Sequence, residues 1–211
     1  FEKPPELHMA QLAQKIVDRP FFDGPSTRMS AEERDFAAEW IKENFMFMDT
    51  RRDGPNDIDG ILSVASAAVM RMGCRVLVID PYNHIKLNHG QRETDAISDM
   101  LTTVQQFARD HDCHVFFVAH PTKLPPDRRG DKKAIVTGHD IAGSAAWFAK
   151  ADIGMTAWRH QRDEEPPECH IWKIRWSWIG KHGVCPLHFD KVTGRWHDFG
   201  PAFDDYDWDF E

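Results

Sequence analysis

Hydrophobic residues in the first half of the chain recur at helical spacing, and further along they gather into short unbroken runs. Ser30-Ala-Glu-Glu33 has the form of a capping box, and Phe36, Ala37, Trp40 and Ile41 follow on one helical face. A second helical stripe follows Asp57 and carries Ile58, Ile61, Leu62, Ala65, Val69 and Met72, with Gly73 placed to stop it. Residues 76–79 (Val-Leu-Val-Ile) are continuously apolar and run into Asp80. Such a run predicts a parallel strand covered on both faces. A third helix presents Ile97, Met100, Leu101, Val104 and Ala108 on one stripe and leads into an apolar strand over 115–119, which ends at His120. Strands alternating with helices imply right-handed βαβ units in an α/β sheet.

The last quarter has a different rhythm. Residues 151–158, 170–178 and 184–189 read as strands with short connections and no helices between them, and a turn falls at Lys191-Val-Thr-Gly194. These are expected as antiparallel extensions of the same sheet. The predicted fold class is α/β, a parallel core with C-terminal antiparallel strands.

Composition adds limits to this picture. A chain of 211 residues, 41% hydrophobic and 11% aromatic, buries a full core and is not a disordered segment. No apolar run approaches the ~20 residues of a membrane span, so no membrane partner is expected. Cys74, Cys113, Cys169 and Cys185 stand far apart without a CxxC pair, which fits a reducing, cytoplasmic setting better than a disulfide scaffold. The twelve histidines are scattered rather than spaced as metal ligands.

The formal charge of −8 argues against a nucleic-acid protein until it is divided along the chain. Residues 198–211 carry six acids and no Lys or Arg, which leaves only −2 for residues 1–197. Within those, residues 121–133 hold Lys123, Arg128, Arg129, Lys132 and Lys133 against two Asp. The domain reading is therefore one large domain over 1–197 and an acidic, aromatic tail over 198–211.

Candidate chemistry sits at strand ends. In open α/β sheets ligands bind outside the carboxyl ends of the strands, where Asp80 and His120 fall. An Asp closing four apolar residues has the form of a strand that holds Mg²⁺ beside a nucleotide. In Ile171-Trp-Lys-Ile-Arg-Trp176, alternation places Lys173 and Arg175 on one face and the tryptophans on the other. Two cations side by side on such a strand are costly unless an anion or an interface receives them.

In order, these features resemble the helicase domain of the DnaB-type replicative helicases, most nearly the phage primase–helicases and Twinkle. Phe1-Glu2-Lys3-Pro4 is similar to the motif whose Glu activates the attacking water, which makes Glu2 that position. Residues 76–80 resemble the Walker B strand, and 115–123 (VFFVAHPTK) resemble the sensor motif, with His120 as the γ-phosphate sensor. Residues 140–146 with Ala151-Asp152 resemble the family's DLRGSGA…AD motif, and Lys173-Ile-Arg175 resembles its lysine and arginine finger. The resemblance implies a RecA-like core, ATP or another NTP with Mg²⁺ at Asp80, and a homo-hexameric ring that moves on single-stranded DNA. Asp80, His120, Lys173 and Arg175 would contact the nucleotide. Lys123, Arg128, Arg129, Lys132 and Lys133 would grip DNA phosphates. A primase domain, a polymerase or a single-strand-binding protein are the further partners it suggests, the last two through residues 198–211.

Three departures stand out. Ala142 replaces the motif's Arg, two extra residues separate Arg175 from Gly180, and no G-x-x-x-x-G-K-[ST] phosphate loop occurs. The chain is therefore expected to be the C-terminal part of a longer helicase, inactive by itself. Two alternatives remain open from the sequence. One is a RecA-type recombinase or circadian-type ATPase; the other is a non-enzymatic DNA-binding or assembly module.

Overall fold

Asp57 begins the first well-formed helix of the α/β part. Its carboxylate accepts the N–H of Gly60 at 2.8 Å and so satisfies one of the open amides of the first turn. Helix α3 then runs Ile58–Met72 and ends on Gly73, whose φ of 71° closes the helix in the left-handed region that glycine enters without penalty. Ile58, Ile61, Leu62 and Ala65 are its buried residues, while Met72 is exposed.

The computed structural model describes residues 3–49, 54–87, 90, 92–122, 135–141, 145–159 and 166–198. Glu2, Lys123, Arg128, Arg129, Lys132, Lys133, Ala142 and the tail from residue 199 lie outside them. The chain divides into two compact units: residues 50–158 and 169–184 with Phe1 form the first, and residues 2–49, 159–168 and 185–211 the second.

In the first unit, strand β1 (Val76–Ile79) pairs in parallel with β2 (His114–Phe117), Val76 opposite His114 and Ile79 opposite Phe117. Helix α4 (Glu93–Asp110) is the crossover between them, as parallel pairing requires. It buries Ala96, Ile97, Met100, Leu101, Val104 and Phe107. The strands differ from the sequence expectation in one respect. Exposure alternates along both, with Ile79 at 2% but Val76 at 54% and Val78 at 60%. Among the described residues only one face of this pair is covered, so the period of two shows through a run that looked uniformly buried.

Downstream, helix α5 (Ala145–Lys150) precedes β3 (Ile153–Trp158), which neighbours β4 (Glu168–Ile174). Arg175 donates its backbone N–H to the Asp152 carbonyl at 2.8 Å, and the rings of Trp158 and His170 meet at the other end. The two strands therefore run antiparallel. Strand β3 begins two residues inside its expected span, and β4 starts two residues early and stops at Ile174. Among the described residues they belong to a sheet separate from β1 and β2, not to an extension of it as expected.

The second unit contains α1 (Pro5–Val17) and α2 (Ala31–Asn44). The capping box is present as read: Glu33 donates its N–H to the Ser30 hydroxyl at 3.1 Å, and Ser30 returns its own to the Glu33 carboxylate at 2.8 Å. Ala13, Met29, Ala37 and Ile41 form the buried cluster, with Leu12, Ile16, Phe21 and Phe47 packed on it. Phe36 and Trp40, expected on the same stripe, are exposed. Only the narrow Ala37–Ile41 line of α2 meets this cluster. Strands β5 (Gly183–Phe189) and β6 (Trp196–Asp198) pair antiparallel, Phe189 opposite Trp196, through the turn at 190–195.

Candidate functional site

Parallel register brings Asp80 and His120 to one rim. Ile79 and Phe117 are level, and the N–H of Val118 still reaches the Ile79 carbonyl at 2.9 Å. Asp80 follows directly, and His120 stands two residues beyond Val118. The chain then turns through a 3₁₀ segment, Tyr82–His84. Tyr82 gives its N–H to the Val118 carbonyl at 2.9 Å, and Asn83 accepts the N–H of His120 on its side-chain oxygen at 3.2 Å. The two strand ends are thus sewn together by the turn that follows the first of them. Both Asp80 and His120 present exposed surface.

Beneath the rim lies an aromatic cluster. Tyr82 meets Trp147 edge-on at 4.7 Å between ring centroids, and Phe117 meets Trp147 at 5.4 Å. Tyr82 is buried, and this burial, helped by the carboxylate of Glu93, pushes its phenol above the ordinary value. It stays neutral and acts as a packing residue. Sequence reading passed over Tyr82 and Asn83. Their signal was only a Pro-Tyr-Asn turn directly after the strand-ending Asp.

Beyond His120 the chain is pinned once more before the basic loop. Thr122 donates both its N–H and its hydroxyl to the Asp140 carbonyl, each at 2.8 Å. Asp140 in turn closes a capping box with Thr137 around the short helix Gly138–Asp140. The flanks of the loop are therefore held together, while its five cations lie outside the described residues.

Lys173 and Arg175 form a second cluster, at the C-terminal end of α5. The ammonium of Lys173 donates to the carbonyls of Phe148 and, at 3.0 Å, Ala149. It also sits over the Phe148 ring. The Nη2 of Arg175 reaches the carbonyls of Ala149, Lys150 and Ala151 at 2.9, 3.0 and 3.3 Å, and its Nε pairs with Asp152 at 2.7 Å. The last carbonyls of a helix have no partner within it and carry its negative end, so two cations there are favourable. Burial, and then the neighbouring guanidinium, lower the affinity of Lys173 for its proton, and Asp152 works against them. The apolar face opposite continues as Trp172, whose ring stacks on Phe148, itself stacked on His139. After Ile174 the chain turns at 176–179, with Trp178 exposed and Trp176 beneath the Arg175 guanidinium.

One carboxylate at a strand end suits Mg²⁺, which keeps most of its waters and uses one or two carboxylates besides substrate phosphates. Among the described residues there is no cluster of three or more metal-binding side chains.

The model of the AAA domain matches residues 11–125, more than half of the chain. The chain belongs to that family. The chain is also 37% identical over 203 residues to the Twinkle homolog protein, chloroplastic/mitochondrial, of Arabidopsis thaliana, covering 90% of this chain. It spans only 28% of the length of that curated relative. Two solved structures share the fold at 18% identity. An ATPase domain superposes with a TM-score of 0.73 over 93% of this chain and 72% of its own. A DnaB-like replicative helicase, described with its interactions with primase, gives 0.72 over 92% of this chain and 48% of its own. The RecA-like α/β fold and the DnaB-type resemblance read from the motifs are borne out. No helix among the described residues is long and apolar enough to cross a membrane.

Proposed function

We propose that this AAA-family chain is the part of an NTP-driven DNA helicase that carries the metal-binding Asp, the sensor and the finger residues. The domain reading of 1–197 with a separate tail belongs to the same proposal. The observation that supports it best is the parallel register that sets Asp80 and His120 on one sheet rim. In this reading Asp80 would in part hold the Mg²⁺ that comes with the nucleotide, and that ion would offset phosphate charge. Glu2 polarises the attacking water and His120 senses the γ-phosphate. No G-x-x-x-x-G-K-[ST] phosphate cradle occurs within these 211 residues.

Lys173 and Arg175 would act on a nucleotide held by a neighbouring copy, where charge develops during phosphoryl transfer. That role requires a ring, a homo-hexamer by family resemblance. The five cations of residues 123–133 would contact single-stranded DNA, gripping phosphates without regard to sequence. Residues 198–211 would contact a polymerase or a single-strand-binding protein. A primase partner rests on family likeness alone.

The test uses the full-length protein. Arg175→Ala should lower DNA-stimulated NTP hydrolysis by on the order of 10³-fold while NTP binding persists. Mixing that variant with Glu2→Gln should restore part of the activity, because intact sites form between unlike neighbours. Arg175→Ala rings that hydrolyse normally would remove the reading.

A further inference from the structure

The guanidinium of Arg175 is held at two of its three nitrogens. Nε gives its hydrogen to Asp152 at 2.7 Å, and Nη2 is shared among the carbonyls of Ala149, Lys150 and Ala151. The same two residues are also joined through the backbone, Arg175 N–H to Asp152 C=O at 2.8 Å. Asp152 therefore meets Arg175 through both backbone and side chain, one residue before β3 and one residue after β4. An arginine that is not held carries rotamer freedom, which a distant phosphate would have to overcome each time it was met.

Among the described residues, the acceptors found for this guanidinium lie on Nε and Nη2. The Nη1 edge keeps its two hydrogens for another oxygen, and the side chain remains 35% exposed. A fork fixed on one edge and open on the other is a preorganised phosphate ligand. We propose that Asp152 is the positioning residue for Arg175, holding its guanidinium so that the Nη1 edge meets the nucleotide of the adjoining subunit.

The inference rests on the finger role given to Arg175 above. It adds the residue that aims the finger and says why that residue is an acid. A carboxylate accepts the Nε hydrogen with charge assistance, which an amide does more weakly. The opposing account is that the pair only staples the start of β3 to β4 and the end of α5. Under that account Asp152 would affect stability and not the chemistry.

The experiment compares Asp152→Asn, Asp152→Ala and Asp152→Glu in the full-length protein, with ring assembly measured in each. The expected result for Asp152→Asn is assembled rings whose kcat for NTP hydrolysis falls about tenfold or more, since small misplacements of a charged group weigh heavily on rate. KM for NTP should stay within about twofold of the parent, because NTP is bound by the other subunit. Asp152→Glu should recover part of kcat. Asp152→Ala placed on Arg175→Ala should add no further loss, as expected of residues acting as a unit. Co-assembly with Glu2→Gln subunits should restore activity to Asp152→Asn, while co-assembly with Arg175→Ala should not.

Asp152 variants with parental kcat, or a loss that adds fully to that of Arg175→Ala, would overturn the inference. So would a loss traced wholly to fewer assembled rings. If Arg175→Ala itself leaves hydrolysis intact, the finger reading fails first. If Arg175→Ala is inactive and Asp152→Asn is normal, only the positioning role fails.

Discussion

Gly154 of β3 lies flat under the indole of Trp172 on β4. A Cβ at position 154 would come within 2.3 Å of two ring carbons, a distance at which something must move. The ring has little freedom to give way. Its Nε1 donates to the Thr156 hydroxyl at 3.0 Å, and that hydroxyl donates to the Val136 carbonyl at 2.6 Å. Gly154→Ala should therefore destabilise the first unit by about 1–3 kcal/mol, the usual range for overpacking. Adding Trp172→Leu should recover part of that loss by opening space. A double-mutant cycle from denaturant unfolding measures it, and strict additivity would show that the ring is not what opposes the methyl group.

Arg195 does for α1 what Lys173 and Arg175 do for α5. Its Nε donates to the Lys15 carbonyl at 2.7 Å, its Nη2 reaches the same oxygen, and Nη1 lies 3.4 Å from the Asp18 carboxylate. Lys15 is in the last turn of α1. Removing the guanidinium leaves a helix-end carbonyl without its charged donor, so Arg195→Ala should cost about 1–3 kcal/mol. Arg195→Lys should restore only part, since one ammonium cannot reproduce the fork. Amide exchange at the C-terminal end of α1 should quicken in both, and unchanged exchange there would count against the cap.

Asp190 shapes the turn between β5 and β6. Its carboxylate accepts the Thr193 hydroxyl at 2.6 Å and the Val192 N–H at 2.8 Å. These bonds, that of Thr193 first, hold its carboxyl below the ordinary carboxylate value. A depressed folded value means a contribution that is present above about pH 4, the unfolded value, and disappears as pH falls through the lower folded one. The parent should thus be more stable than Asp190→Asn at neutral pH, with the difference shrinking in acid. Thermal unfolding of both proteins from pH 7 down to 3 checks this. A difference that does not change with pH would exclude the carboxylate as its source.

Charge reversal at Arg128 and Arg129 in the full-length protein should weaken single-strand binding uniformly across sequences. The slope of log affinity against log salt should flatten by roughly 0.7 for each phosphate that is no longer neutralised. An unaltered slope would show that the loop carries no phosphate contacts.

Local signals carried much of the fold. The Ser30–Glu33 box, the Asp57 cap and Gly73 stop are all encoded within four residues of where they act, so they could be read directly. The runs at 76–79 and 115–119 announced parallel strands, and the α4 stripe missed Ala96 and Phe107 along its edges. Helix α1 was not seen, because its main signal is a proline at the first position, which equally suits a loop. Helix α5 has six residues and β6 three, too few to display a period. At the site, Asp80 and His120 were visible because strand ends are local. Asp152 as the partner of Arg175 was not, since it depends on the register of two strands distant in sequence. The cis grip on Lys173 and Arg175 likewise could not be foreseen from alternation, which says which face a side chain takes and not what it finds there.

Val76, Val78, Phe116 and Val118 stand exposed together along β1 and β2. Apolar strips of this kind favour contact with other apolar surfaces, and sulfate, which is excluded from protein surfaces, strengthens such contact. Phosphate binding responds to salt in the opposite direction. On the proposed function, added sulfate should weaken DNA binding by the 211-residue chain while it favours contact between copies. The loss of DNA signal then has two physical sources, and only one of them grows with protein concentration.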